Sequence, residues 1–460
     1  MGKNRLAVLA VGLGLAFLLL ATGALFAGAA TANRAEDDGS TSDTTVDAGR
    51  TQPAELAAAS RLRTCSVSAI AANPQLATLS GVVTNAATGE VLFDRAATAP
   101  IAQAGITKVL TASAAINLLG PDATLSTKVY QGSSANTIVL VGGGDPTITA
   151  LDSGESVYSG APRLQTLADN TAKAYEATGG SVEDITTIVL DASMWNQADK
   201  WDATWPRSAQ TGGTQSEVTA LQVDGDRADP TQQTSARTTD PVTRAGQLFA
   251  EALGLDPSLI TFTLGTAVTS KPVLGEVTSQ PINVLVNQML MQNDGTLAEA
   301  LARVVSKAAG YGGSAASIQQ AITSGLAVFG VSTAGIVIQD GSGLSASTSI
   351  PPKFMSDFMA KVLAGENNLN VIYNSLPIAG KSGGLAQRFS GASAAAKNQV
   401  IAMPGSAAAE YALSGVINAA DGAKLTFAFY ATGAVKDTAR GALDALATAV
   451  FACGDNLSNN

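Results

Sequence analysis

"AQAGITKVLTASAAINLL", residues 102–119, holds a single charged side chain, Lys108, in a stretch that is otherwise apolar or small. On a helical projection Lys108 shares its side with Ala104, Ala112, Ala115 and Leu119, while Ile106, Val109, Leu110 and Ile116 line the other. Both sides read as buried. An ammonium group there either shifts its pKa downward, as catalytic lysines do, or snorkels from the first turn into water. The stretch alone leaves both alternatives open.

The rest of the chain narrows the field. At 460 residues it is long enough for two folded units plus tails. With 46% hydrophobic and 14% charged residues it is globular over most of its length. The net charge of −10, without a basic cluster, excludes a nucleic-acid footprint. Histidine is absent, which removes Ser-His-Asp triads, Cys-His pairs and histidine-ligated zinc; neither a metal nor a cofactor is expected. The two cysteines, Cys65 and Cys453, are far from any C-x-x-C spacing. In an oxidising compartment they would pair and tie the start of the folded region to its end; two buried free thiols are the alternative.

Lys3 and Arg5 precede an uncharged run from Leu6 to Ala32, an export signal. Its length favours an uncleaved membrane anchor over residues 6–32, since roughly 20 residues span a bilayer, although "ATA" ending at Ala32 leaves cleavage and secretion open. The positive residues before the run place the remainder outside the cytoplasm. The expected organisation is a signal segment over 1–32, a polar tether over 33–64, a first part of the main domain over 65–121, an insertion over 122–275, a second part over 276–455 and a tail over 456–460. Alternating runs predict hairpins over 79–95 and 410–433, the latter turning at Asp421-Gly422, and a closing helix over about 437–452. Strands from both ends of the chain then share one sheet. The insertion has its own strands ("NTIVLVGGG", "ITTIVLDAS"), and two amphipathic stretches follow over 282–310, broken at Gln292 to Gly295.

The first stretch resembles P-A-S-x-x-K-L-x-T-A of the penicillin-binding serine DD-peptidases, and "VLVGGGDPTIT" (139–149), "TLAEALAR" (296–303), "QDGSGLS" (339–345) and "GKSGG" (380–384) follow in that family's order. Over about residues 66–453 the chain resembles the D-alanyl-D-alanine carboxypeptidase/endopeptidase family, the class C low-molecular-mass penicillin-binding proteins. The resemblance implies an α/β (α+β) fold: a transpeptidase/β-lactamase-like domain, with an antiparallel sheet and flanking helices, split by an inserted mixed α/β domain. It implies acyl transfer on peptidoglycan stem peptides by a motif serine, a lysine one turn later as base, an S-x-N motif, a K-T-G or K-S-G strand for the terminal carboxylate, and backbone N–H groups around the oxyanion.

Matched residue by residue, the catalytic lysine is Lys108, but Gly105 stands where the nucleophilic serine belongs, and Asn293, Asp294 and Gly295 stand for Ser-Asp-Asn. Lys381, Ser382 and Gly383, with Asp294, are expected to bind substrate, and the N–H groups of Gly105 and Gly384 to form the oxyanion site. "GGGDP" and "DGSG" read as structural turns. Three outcomes follow for function. The chain is a silent member that binds a stem peptide or an envelope protein, or an active serine-type D-Ala-D-Ala carboxypeptidase with a rearranged site, or an envelope scaffold without a cleft ligand. If Lys108 is a relic, its expected partner is Asp294.

Overall fold

The computed structural model describes residues 62–459 except 408. The expected signal anchor at 1–32 and the tether up to residue 61 lie outside the described residues. Among the described residues no helix is long and apolar enough to cross a membrane.

Among the described residues twelve strands build the sheets: β1 (Cys65–Ser66), β2 (Thr78–Asn85), β3 (Val91–Arg95), β4 (Ser126–Gln131), β5 (Thr137–Val141), β6 (Thr187–Asp191), β7 (Thr261–Leu264), β8 (Val273–Thr278), β9 (Val400–Ala407), β10 (Glu410–Asn418), β11 (Lys424–Thr432) and β12 (Leu457–Ser458). The helices that bear on the site are α1 (Thr107–Leu119), α2 (Leu164–Ala177), α3 (Pro241–Ala252), α4 (Ile282–Gln292), α5 (Gly295–Ala308), α6 (Pro352–Ala364) and α7 (Thr438–Cys453).

The two expected hairpins are β2–β3 and β10–β11, and they lie in one antiparallel sheet of order β3-β2-β11-β10-β9. Period-two alternation sends successive residues of β11 to opposite faces. Phe427 and Phe429 join one cluster with Leu443 and Leu446 of α7. Ala428 and Tyr430 join the other, with Met355 and Phe358 of α6. Cys65 is disulfide-bonded to Cys453 at the end of α7, and β1 pairs with β12 beside it, so the two ends of the described chain close on each other.

The second sheet, order β7-β6-β5-β4-β8, is mixed: β5, β6 and β7 run parallel, while β4 is antiparallel to both β5 and β8. Helices α2 and α3 supply the crossovers that parallel neighbours require. Leu140 and Ile188 of this sheet and Phe249 of α3 belong to the same apolar cluster as Val109, Leu110 and Leu285.

Helix α1 lies in the middle of that cluster, with every residue from Thr107 to Ile116 buried. The apolar character of both its sides has this cause: α4, α5 and the helix Ile318–Leu326 all pack on it. A β-carbon at Gly325 would stand 2.7 Å from Ala114 Cβ, so the last of these helices approaches closely only because small residues face each other.

Candidate active-site cleft

The start of α1 fixes the site. Gln103 accepts the Thr107 N–H at 3.0 Å, and Glu410 of β10 accepts the Ala104 N–H at 3.2 Å. Between these anchors Ala104 and Gly105 have φ of 48° and 95°. Gly105 therefore sits just before the helix, in a conformation that suits glycine and strains other residues. The Lys108 N–H reaches the Gly105 carbonyl at 3.4 Å, so the lysine is one turn on from the glycine, as the sequence spacing predicts.

Lys108 is 5% exposed, and its Nζ donates to the Ser342 carbonyl at 2.8 Å. A β-carbon on Gly105 would stand 3.1 Å from that Nζ and 3.4 Å from the Ser342 oxygen. Burial lowers the Lys108 ammonium to about 8, against the pull of the carboxylates of Asp340, Glu299 and Asp294. The "DGSG" segment, expected to be only a turn, is thus part of the site. Glu299 of α5 accepts the N–H groups of Ser342 and Gly341 at 2.6 and 3.2 Å. Asp340 accepts those of Gly343 and Ser345 at 2.8 and 2.7 Å, and the Trp205 indole N–H at 2.7 Å. Burial raises both carboxyls, and for Glu299 the neighbouring Asp340 charge adds to it. The loop is pressed against the start of α1: a β-carbon on Gly343 would stand 2.7 Å from Gly105 Cα.

At the break between α4 and α5, Asn293 is left-handed (φ 54°) and ends α4, while Asp294 caps α5 by accepting the Leu297 N–H at 2.9 Å. The other Asp294 oxygen accepts from Arg227 Nη2 at 2.7 Å and from the Tyr158 hydroxyl at 2.9 Å. Its expected partner Lys108 is displaced by this guanidinium. Burial alone would raise the Asp294 carboxyl, but Arg227 and Arg237 outweigh it and hold the group down at about 2. Asp294 therefore reaches the cleft with its charge already matched. The family's asparagine at 295 would require the Gln215 side chain to swing aside, since a β-carbon there would meet Gln215 Oε1 at 2.4 Å.

These elements enclose a cavity of about 290 Å³ lined by Gly105, Lys108, Asp294 and Gly295, and also by Arg227, Ser342 and Ser406, which sequence reasoning passed over. Lys381, Ser382 and Gly383 are not in this lining. Gly380 and Gly383 have φ of 64° and 57°, so the chain turns where a carboxylate-binding strand would run extended. Ser382 Oγ accepts the Ile378 N–H at 3.1 Å within that turn, and Lys381 is exposed. The strand that borders the cleft is β9, and over 403–406 it reads Met-Pro-Gly-Ser, without a cation. Gly384 is likewise not beside Gly105: it lines a second chamber, where its β-carbon would meet Pro404 Cγ at 3.0 Å. Among the described residues no group of histidine, cysteine, aspartate and glutamate is arranged to hold a metal ion.

The profile of the D-Ala-D-Ala carboxypeptidase 3 (S13) family matches residues 63–231 and 190–450. A carboxypeptidase of Mycobacterium tuberculosis is 33% identical over 89% of this chain and 88% of its own length. Carboxypeptidase DacB of Mycolicibacterium smegmatis is 33% identical over 87% of each. The crystal structure of penicillin-binding protein 4 of Haemophilus influenzae superimposes with a TM-score of 0.66 at 18% identity, over 81% of this chain and 95% of that one, and shares the fold. By sequence profile and by full-length relatives alike, the chain belongs to the D-Ala-D-Ala carboxypeptidase 3 (S13) family.

Proposed function

We propose that this protein is an extracytoplasmic, cell-envelope member of the family that binds peptidoglycan stem peptides in the cleft beside Lys108 and does not cleave them. One observation carries the reading: at the position one turn before the lysine there is a glycine, and the lysine donates to a carbonyl that has no proton to give. In serine peptidases of this logic the hydroxyl makes the covalent bond and the base only prepares it. Loss of the nucleophile in a serine protease costs about 10⁶ in turnover, leaving binding and the oxyanion site. The apolar run at 6–32 supports membrane tethering.

A second reading, an active D-Ala-D-Ala carboxypeptidase, is favoured by the 33% identity to two mycobacterial carboxypeptidases. Incubation with a stem pentapeptide separates the two. Binding in calorimetry without D-alanine release supports the first, and release of D-alanine that disappears in Lys108→Ala establishes the second.

A further inference from the structure

Beyond Asn293 and Ser406, which line both chambers, the cleft continues into a second cavity of about 290 Å³ under β9. Its charged lining consists of Arg388 and Arg440. Arg388 is 14% exposed at its side chain; it binds Asp444 through Nε and Nη2, the latter at 2.7 Å, and its Nη2 also meets the Arg440 carbonyl at 3.3 Å. Arg440, on the first turn of α7, is half-exposed, lies 5.2 Å from the Tyr411 ring centroid and comes no nearer than 3.8 Å to Asp437. Two guanidinium groups thus share one chamber, and one of them has only a loose ionic partner.

Between the chambers the strand offers a carboxylate its Ser406 end but no donor at Pro404. The Ala402 N–H points away from β10, to the Pro377 carbonyl at 2.9 Å. Residues 404 and 406 have the same parity and face the same open side. Proline at 404 has no N–H to offer there, and it is tolerated for that reason on an edge strand. A ligand extended along β9 meets no donor at Pro404 and then the Ser406 backbone. In the first chamber Lys108 is surrounded by the carboxylates of Asp340, Glu299 and Asp294, and Arg227 is already paired.

We propose that the second chamber is the anion subsite of this cleft, with Arg440, supported by Arg388, receiving the terminal carboxylate of a peptide that lies across β9. Guanidinium groups match carboxylates in shape and charge, and Arg440, unlike Arg388, has no close ionic partner to give up. This inference rests on the peptide-binding reading above and adds where the charged end of the ligand is held.

The test uses Nα,Nε-diacetyl-L-Lys-D-Ala-D-Ala, whose only charge is its terminal carboxylate, and the same peptide as its carboxamide, both titrated into the protein by calorimetry. The acid is expected to bind about ten-fold or more tightly than the amide, as loss of a charge-assisted hydrogen bond implies. Arg440→Gln is expected to bring the two within about two-fold, and Arg440→Lys to retain part of the preference. Equal binding of acid and amide to the unaltered protein, or an unchanged preference in Arg440→Gln, overturns the proposal while the peptide-binding reading stands. Binding of neither peptide overturns both.

Discussion

Lys108 Nζ and the missing side chain of Gly105 define a gap: a β-carbon on the glycine would stand 3.1 Å from the amine, which instead donates to the Ser342 carbonyl at 2.8 Å. On the proposed reading Lys108 is a base with lowered proton affinity and no hydroxyl one turn before it. The glycine is also no longer a neutral vacancy, because the backbone around it has settled into a conformation and a packing that accommodate only glycine easily.

Restoring the serine therefore does not restore the site. At φ 95° a non-glycine residue carries a strain of about 1–3 kcal/mol, and the β-carbon of a serine would stand 3.1 Å from Lys108 Nζ. Gly105→Ser is expected to lower the midpoint of thermal unfolding by several degrees, and to remain unlabelled by a fluorescent penicillin. A labelled variant of unchanged stability would show that the conformation of residue 105 follows its side chain rather than the loop packed on it.

Lys108 gives stability a defined pH dependence. Its pKa is lowered from 10.5 to about 8 in the folded chain, so between these values the unfolded chain holds a proton that the folded chain has released. Stability from this group then rises with pH across that window, by up to about 1.4 kcal/mol per unit. Urea unfolding of the protein and of Lys108→Met, followed between pH 7.5 and 10, should show the rise in the former and its loss in the latter. Parallel curves would mean that Lys108 keeps an ordinary pKa.

The Asp294–Arg227 pair is buried at both ends, with side chains 2% and 1% exposed. Removing one partner leaves the other charge buried and unmatched, which costs about 3–5 kcal/mol. Asp294→Asn is expected to destabilise by that order at pH 6. The Asp294 carboxyl is depressed to about 2, so its contribution is complete above an unfolded value near 4 and is lost as pH falls towards 2. The gap between Asp294→Asn and the unaltered protein, measured by denaturant midpoint, should narrow over that range; a gap that stays constant would assign the stability to something other than this charge.

The parts of the fold legible in the sequence are those set by local periodicity. The hairpin at 410–433 alternates because its faces pack on different clusters, the hairpin at 79–95 sends Leu79, Val83, Leu92 and Phe93 into one of them, and "GITKVLTASAA" is apolar on both sides because helices pack on both. The site was legible where residues are close along the chain, as with Gly105 and Lys108. It was not legible where partners are remote. Arg227 meets Asp294 across 67 positions, from a segment in which Asp224, Gly225 and Asp226 all have positive φ, and no spacing rule announces such a loop. "GKSGG" has the composition of a carboxylate-binding motif, but the glycines that give it that look also turn the chain, at 380 and 383, and take Lys381 out of the cleft.

The central claim is that this cleft holds a base without a nucleophile, and covalent capture by a β-lactam tests it most directly. A chain of residues 62–460 is incubated with benzylpenicillin and its intact mass is measured by mass spectrometry, with an active member of the family treated in parallel. The account predicts an unshifted mass under conditions in which the active enzyme is fully acylated. A mass increase of one benzylpenicilloyl group, mapped to any hydroxyl or to Lys108 in the cleft, would contradict it.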